Sequence, residues 1–354
     1  MDRIFRRLLY LLPGYRRRLS AQKLCTLKIP TELVDMILEH LEPESAIAFS
    51  LTCRALFVKH FPKSKSAQLS APARATLLQW LEQDIPALYM YFCHDCARLH
   101  RWRGRLQTEP VMSKCVSTFR SDLTYSWARL VTNRHLYGAR HGPPLRNIKG
   151  TRTRRIGGIY GAVVTTVSWK AKLIGNNLYL HGTMASRSDG KKGSAQELRA
   201  FVEGFGWSLV CGHLRAAVIP ELSRDEGSSR FFRPTSGNII RSCPVCFTDY
   251  RILVALKDSP RRFTTRKGKS RQTEPVEDDE DWSIQVARWH NLGECRSPYD
   301  LEWCNLVTRF LSRTSVRRKD VCGAGTVRRA WMEEDLGSTP GTETAVFLKS
   351  SGLI

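Results

Sequence analysis

Apolar positions crowd the segment "LKIPTELVDMILEHLEPESAIAFSLTCRALF" more densely than a short helical unit can hide. Leu33, Ile37 and Leu41 recur at i, i+4 and i+8, and Val34 and Leu38 form a second stripe beside them. A helix packing on one side needs an apolar face of about 100°, and this face is wider. Pro30 suits a first helical turn, where its missing N–H costs nothing, and Glu32 complements the dipole there. Pro43 then punctuates, and residues 46–51 and 54–58 supply two more short amphipathic pieces. Three helices in about 35 residues bury too little to be comfortable alone. The surplus stripe packs either on the rest of the chain or on a partner.

Further along, Leu77, Leu78 and Leu81 predict a helix over residues 74–84, with helix-start chemistry near Ser70 and Pro72. The texture changes at "IYGAVVTTVSWKAKLIGNNLYLHGTM", where β-branched residues alternate around a Gly175-Asn176-Asn177 turn signal and predict a β-hairpin. "FTDYRILVALK" and "WSIQVARWHNLG" read as further strands, with a basic-then-acidic loop between them. Trp169, Trp207, Trp289 and Trp303 are expected in the core of this β-rich part. The organisation expected is a basic arm over 1–24, a helical module over 25–66, a linker helix over 67–90, and a cysteine-containing α+β domain over 91–312. That domain includes the charged loop 257–281, and a partly disordered tail follows over 313–354.

Charge changes the range of partners. The chain has 354 residues and a formal net charge of +23. Such a field favours acidic partners, nucleic acid or anionic membrane surfaces, and says nothing about fold. The leader "MDRIFRRLLYLLPGYRRRLSAQ" has an apolar run broken by Pro13, too short to span a bilayer and without a signal-peptide cleavage pattern. The eleven cysteines form no dense framework. Together these features suggest a reducing compartment, cytoplasmic or nuclear, where paired cysteines more often bind metal than form disulfides.

Two C-x-x-C pairs stand out, Cys93/Cys96 and Cys243/Cys246. That spacing lets one loop place two thiolates about 2.3 Å from a tetrahedral zinc ion. The pairs lie far apart, yet lengthening a loop tenfold costs only about 2 kcal/mol, against about 10 kcal/mol or more returned by a structural zinc. The expectation is therefore one structural zinc held by Cys93, Cys96, Cys243 and Cys246. Cys211 and His213, two apart, and His100, four after Cys96, could replace one pair or form a second site.

The helical segment resembles an F-box: a hydrophobic-Pro-x-Glu-Leu entry, an Ile-Leu-x-x-Leu helix and a Leu-Thr-Cys-Arg-x-Leu exit. The resemblance implies that the surplus face docks onto the Skp-type adaptor of a cullin-based SCF ubiquitin ligase. Matched position by position, it assigns Ile29, Pro30, Leu33, Ile37, Leu38, Leu41, Leu51 and Leu56 to that contact, with Cys53 as a small hydrophobe on the motif. The ordered set "CHDCARLHRW", "VCGHLR", "CPVCFTDY" and "ARWHNLGECRSPYDLEW" is similar to a large group of fungal F-box proteins, which implies an adaptor architecture and no particular substrate. The fold class expected is α+β: an N-terminal three-helix F-box module followed by a mixed, β-containing domain stapled by zinc.

Motifs for catalysis are missing. The chain has no H-E-x-x-H, no G-x-x-x-x-G-K-[ST] and no G-x-S-x-G, and Asp95 has no H-x-E partner beside it. The expected function is a non-catalytic substrate receptor that recruits an unidentified protein to the ligase. The alternative is a zinc-stapled nucleic-acid binder using Arg152, Arg154, Arg155, the basic block 261–271 and the N-terminal arginines, whose affinity would fall steeply with salt.

Overall fold

Pro30 precedes the first helix and its carbonyl accepts from Val34 N at 3.3 Å, so α1 begins at the expected entry and runs over Thr31–His40. Pro43 opens α2, Pro43–Ser50, and α3 follows over Arg54–His60. Ser70 caps α4, Ala71–Asp84: its Oγ accepts from Ala73 N at 3.3 Å and its carbonyl from Arg74 N at 2.9 Å. The computed structural model describes residues 29–52, 54–61, 69–84, 90–94, 96–101, 118–119, 123–158, 161–189, 194–205, 210–214, 219–220, 222, 232, 235, 239–257, 281–307 and 323–336. The basic arm, Cys53, Trp207, the charged segment 258–280 and the last eighteen residues therefore lie outside the described residues.

The chain divides into two compact units, with the boundary between Pro144 and Leu145. The first cysteine pair lies in the N-terminal unit, where its hairpin packs against the helices on either side of it in the chain. In the N-terminal unit, α2 packs on α3 and α4. Strands β1, Met90–Cys93, and β2, Arg98–Arg101, form an antiparallel hairpin, and β1 is buried along its whole length against α4 and α5, Tyr125–Tyr137. A two-strand pair, β3 (Thr118–Phe119) and β4 (Leu123–Thr124), precedes α5, whose N-cap Thr124 accepts from Trp127 N at 3.2 Å.

One buried ion pair joins α4 to α5. Glu82 Oε1 accepts from Arg129 Nε at 2.8 Å, Asn133 Nδ2 at 2.9 Å and Phe92 N at 3.0 Å, while Arg129 Nη2 bonds Oε2. Both side chains are almost wholly sequestered. The same carboxylate thus fixes two helices and the first strand. Burial alone would lower the Arg129 pKa, but the Glu82 carboxylate outweighs it and drives the guanidinium further up.

The C-terminal unit is built on a six-stranded antiparallel sheet in the order β5-β6-β7-β10-β9-β8. Its strands are β5 (Gly150–Gly158), β6 (Gly161–Ile174), β7 (Asn177–Ser188), β8 (Arg241–Ser242), β9 (Thr248–Lys257) and β10 (Asp281–Asn291). The β6–β7 hairpin turns at Gly175, φ 59°, and Asn176, where the sequence signalled it. Alternate residues face opposite ways. On one face lie Met184, Val286, Ile252, Ile284 and Val254, joined in register and buried. Ser188, on this side, donates to Glu197 of α6, Ser194–Phe205, which packs on β6, β7 and β10 with Leu198 and Val202 buried.

The other face carries Tyr179, Ala287 and Trp289 against Val327 and Trp331 of α8, Thr326–Leu336; α7, Leu301–Val307, contributes Leu301 to the same cluster. Within 313–354, residues 326–336 are thus a helix docked on the sheet. Buried Asp249 of β9 receives its N-terminus, Oδ2 accepting from Arg328 N at 2.8 Å and Oδ1 from Gly325 N at 3.3 Å. Of the four tryptophans expected in the core, Trp289 and Trp303 are buried and Trp169 is half-buried.

Candidate functional site

On α1 the wide apolar face divides in two. Val34 turns inward and is buried, and Ile47 and Leu56 are buried with it in the module. Leu33, Met36 and Ile37, at i, i+3 and i+4, point outward and are 49%, 56% and 41% exposed. Ile29, at the helix entry, is 41% exposed. Pro30 is exposed, while Leu38, Leu41 and Leu51 are half-buried. Leu56, expected at the partner contact, is only 5% exposed and lies in the module's core. Met36, which the motif did not single out, is the most open residue of the patch on α1. His60 Nδ1 of α3 lies 3.3 Å from Asp35 Oδ1, which ties the opposite flank of α1 down.

Cysteine and histidine side chains converge at two places among the described residues. In the N-terminal unit, the β1–β2 hairpin brings Cys93, Cys96 and His100 together, with Cys96 Sγ 2.9 Å from His100 Nε2. In the C-terminal unit, Cys243 and Cys246 in the β8–β9 turn meet Cys211 and His213. In each group the ligand atoms lie within 4.8 Å of one another. The two C-x-x-C pairs thus fall in two groups among the described residues, one in each unit. The first pair meets His100 of β2, and the second meets Cys211 and His213 from the loop over residues 210–214.

The second group fits a tetrahedral metal ion by its donors and by its size. Four ligands about 2.3 Å from zinc sit roughly 3.8 Å from one another, so contraction of about 1 Å or less would close the set. Cys211, Cys243 and Cys246 are buried and His213 is half-buried. The turn Cys243-Pro244-Val245-Cys246 directs Val245 N and Cys246 N at Cys243 Sγ, at 3.4 and 3.5 Å. Contacts with the Cys211 and Cys246 side chains push the Cys243 thiol well down, toward thiolate. Burial pushes Cys246 well up. For His213 burial works toward neutrality, but Cys211 and Cys243 outweigh it and hold the imidazole pKa at about 10. Cys246 Sγ also meets Thr248 Oγ1 at 3.1 Å, and that hydroxyl lies 2.8 Å from Nδ1 of buried His290. Neither Thr248 nor His290 carries a spacing signal that would have marked it from sequence.

Residues 26–56 match the model of the F-box domain. The chain therefore carries an F-box domain, and the outward face of α1 belongs to it. No curated protein and no solved structure matches the chain. An F-box supports, in general, an adaptor role in SCF-type ubiquitin ligases. Both cysteine groups could hold a metal ion, and no helix among the described residues is long and apolar enough to cross a membrane.

Proposed function

We propose that this protein is a non-catalytic substrate receptor, docking through its F-box onto a Skp-type adaptor and presenting a target protein to a cullin ligase. The observation that carries this is the patch of Ile29, Leu33, Met36 and Ile37: four large apolar side chains, all within the F-box match, left open on one short helix and its entry. Single exposed apolar residues are ordinary, whereas a contiguous cluster at i, i+3 and i+4 is how an amphipathic helix presents itself to a groove. Leu38 and Leu41, half-buried, border the patch and extend its contact as the adaptor closes over it. The sheet of the C-terminal unit, covered on its faces by α6 and α8, is the rigid body that would carry target recognition. The test is calorimetric titration of the purified full chain with a purified Skp-type adaptor. Saturable binding that leads on to assembly with the cullin supports the reading. A folded chain that fails to bind refutes it.

A further inference from the structure

We propose that Cys211, His213, Cys243 and Cys246 bind one structural zinc ion wholly within the C-terminal unit, independently of Cys93 and Cys96. The donor set is the first argument. Three thiols and an imidazole are a complete tetrahedral complement for zinc, and the four ligand atoms already lie within 4.8 Å of one another. Hard cations such as calcium and magnesium take oxygen ligands, and none is supplied among the four.

Burial is the second argument. A reactive cysteine needs access, and Cys211, Cys243 and Cys246 are all closed off from solvent. A disulfide would use two of the three sulfurs and leave the third beside an imidazole. All three are free thiols here. Four protein ligands leave no open coordination position, so the ion holds the fold and takes no substrate.

Local geometry is the third. The amides of Val245 and Cys246 point at Cys243 Sγ, the arrangement that supports a metal-bound thiolate in a tight C-x-x-C turn. The same turn is fixed by Cys243 N donating to Thr248 O at 2.9 Å and Thr248 N to Cys246 O at 2.7 Å. Two ligands are therefore preset by the start of β9, and the ion would draw the 210–214 loop onto them. That loop has no strand or helix of its own, so the ion would supply what fastens it to the sheet.

The experiment uses the full chain with both Cys93 and Cys96 changed to Ser, purified and exchanged with Co2+, which takes the zinc geometry and absorbs visibly. The expected result is one metal equivalent, with the intense d–d bands of a tetrahedral thiolate site. His213→Cys in that background should keep the metal and move the bands to longer wavelength, because thiolate is a weaker-field ligand than imidazole. Absence of metal in the Ser background, or bands unmoved by His213→Cys, overturns the assignment. Should the double-Ser chain fail to fold, the same His213→Cys shift read in the otherwise native chain decides the matter in the same way. Neither readout depends on adaptor binding.

Discussion

Replacing Leu33 by Asp tests the F-box surface with little disturbance to the free chain. Leu33 is the third residue of α1 and about half exposed. An acid in a first turn complements the helix dipole, offsetting most of the roughly 0.5 kcal/mol that Asp loses to Leu in helix propensity. Thermal stability should therefore shift by less than about 1 kcal/mol. Binding is another matter. Ile29, Leu33, Met36 and Ile37 together leave open the equivalent of about two apolar side chains, ~3–6 kcal/mol if an adaptor covers them. An aspartate in the middle of that contact removes Leu33's share and adds an unpaired charge that costs several kcal/mol to desolvate. The affinity should fall at least about 100-fold, equivalent to roughly 2.7 kcal/mol. Val34→Asp, one residue on, is the contrast: Val34 is buried, so that change should unfold the helical module. Calorimetric binding beside thermal unfolding separates the two. Undiminished adaptor affinity in a folded Leu33→Asp chain would refute the assignment of the face.

Other perturbations probe the frame that carries these sites. Glu82→Gln should destabilise the N-terminal unit by about 3–5 kcal/mol, because it leaves the Arg129 charge buried without its carboxylate; a lower urea midpoint, largely restored by the double change with Arg129→Met, is the expected pattern. Burial, then Lys170, Arg251, Arg288 and Lys172, lower the His181 pKa to about 3. The unfolded chain therefore takes up a proton near pH 6.5 that the folded one refuses, so this contribution is complete above that pH and is lost as pH falls toward 3. Between pH 7 and pH 5 the loss is about 2 kcal/mol, and it should vanish from the urea midpoints of His181→Phe. Trp331→Ala should cost about 3–5 kcal/mol by emptying the cluster that docks α8 on the sheet; an unchanged melting temperature would mean the helix contributes nothing to the unit.

Local signals were legible where they act over a few residues. The helix starts at Pro30, Pro43 and Ser70, the Gly175-Asn176 turn and the strands around Ile252 and Val286 all follow from capping, turn chemistry and period-two alternation. The F-box was legible for the same reason: its surplus stripe is a property of one helix. Residues 326–336 were harder to read. What orders α8 is remote in sequence: Asp249 at its N-terminus, and Tyr179 and Trp289 around Trp331. The Glu82–Arg129 pair is equally silent, since neither residue announces that its partner lies 47 positions away.

The cysteines show most clearly where reasoning from spacing stops. Loop-closure entropy grows only with the logarithm of length, so bringing Cys243 to Cys96 rather than to Cys211 differs by about 1.4 kcal/mol. That is small beside a zinc site worth about 10 kcal/mol or more. Entropy therefore could not choose between partners, and the weaker pattern, Cys-x-His at 211–213, was as eligible as the stronger one. The choice is made by the sheet. Antiparallel pairing of β8 with β9 fixes the Cys243–Cys246 turn, and Cys211 and His213 meet that turn within the same unit. Cys93 lies in the N-terminal unit, on a strand buried between α4 and α5, where Glu82 accepts from the amide of its neighbour Phe92. The fold thus brings four side chains together, and the C-x-x-C spacing marks only half of them.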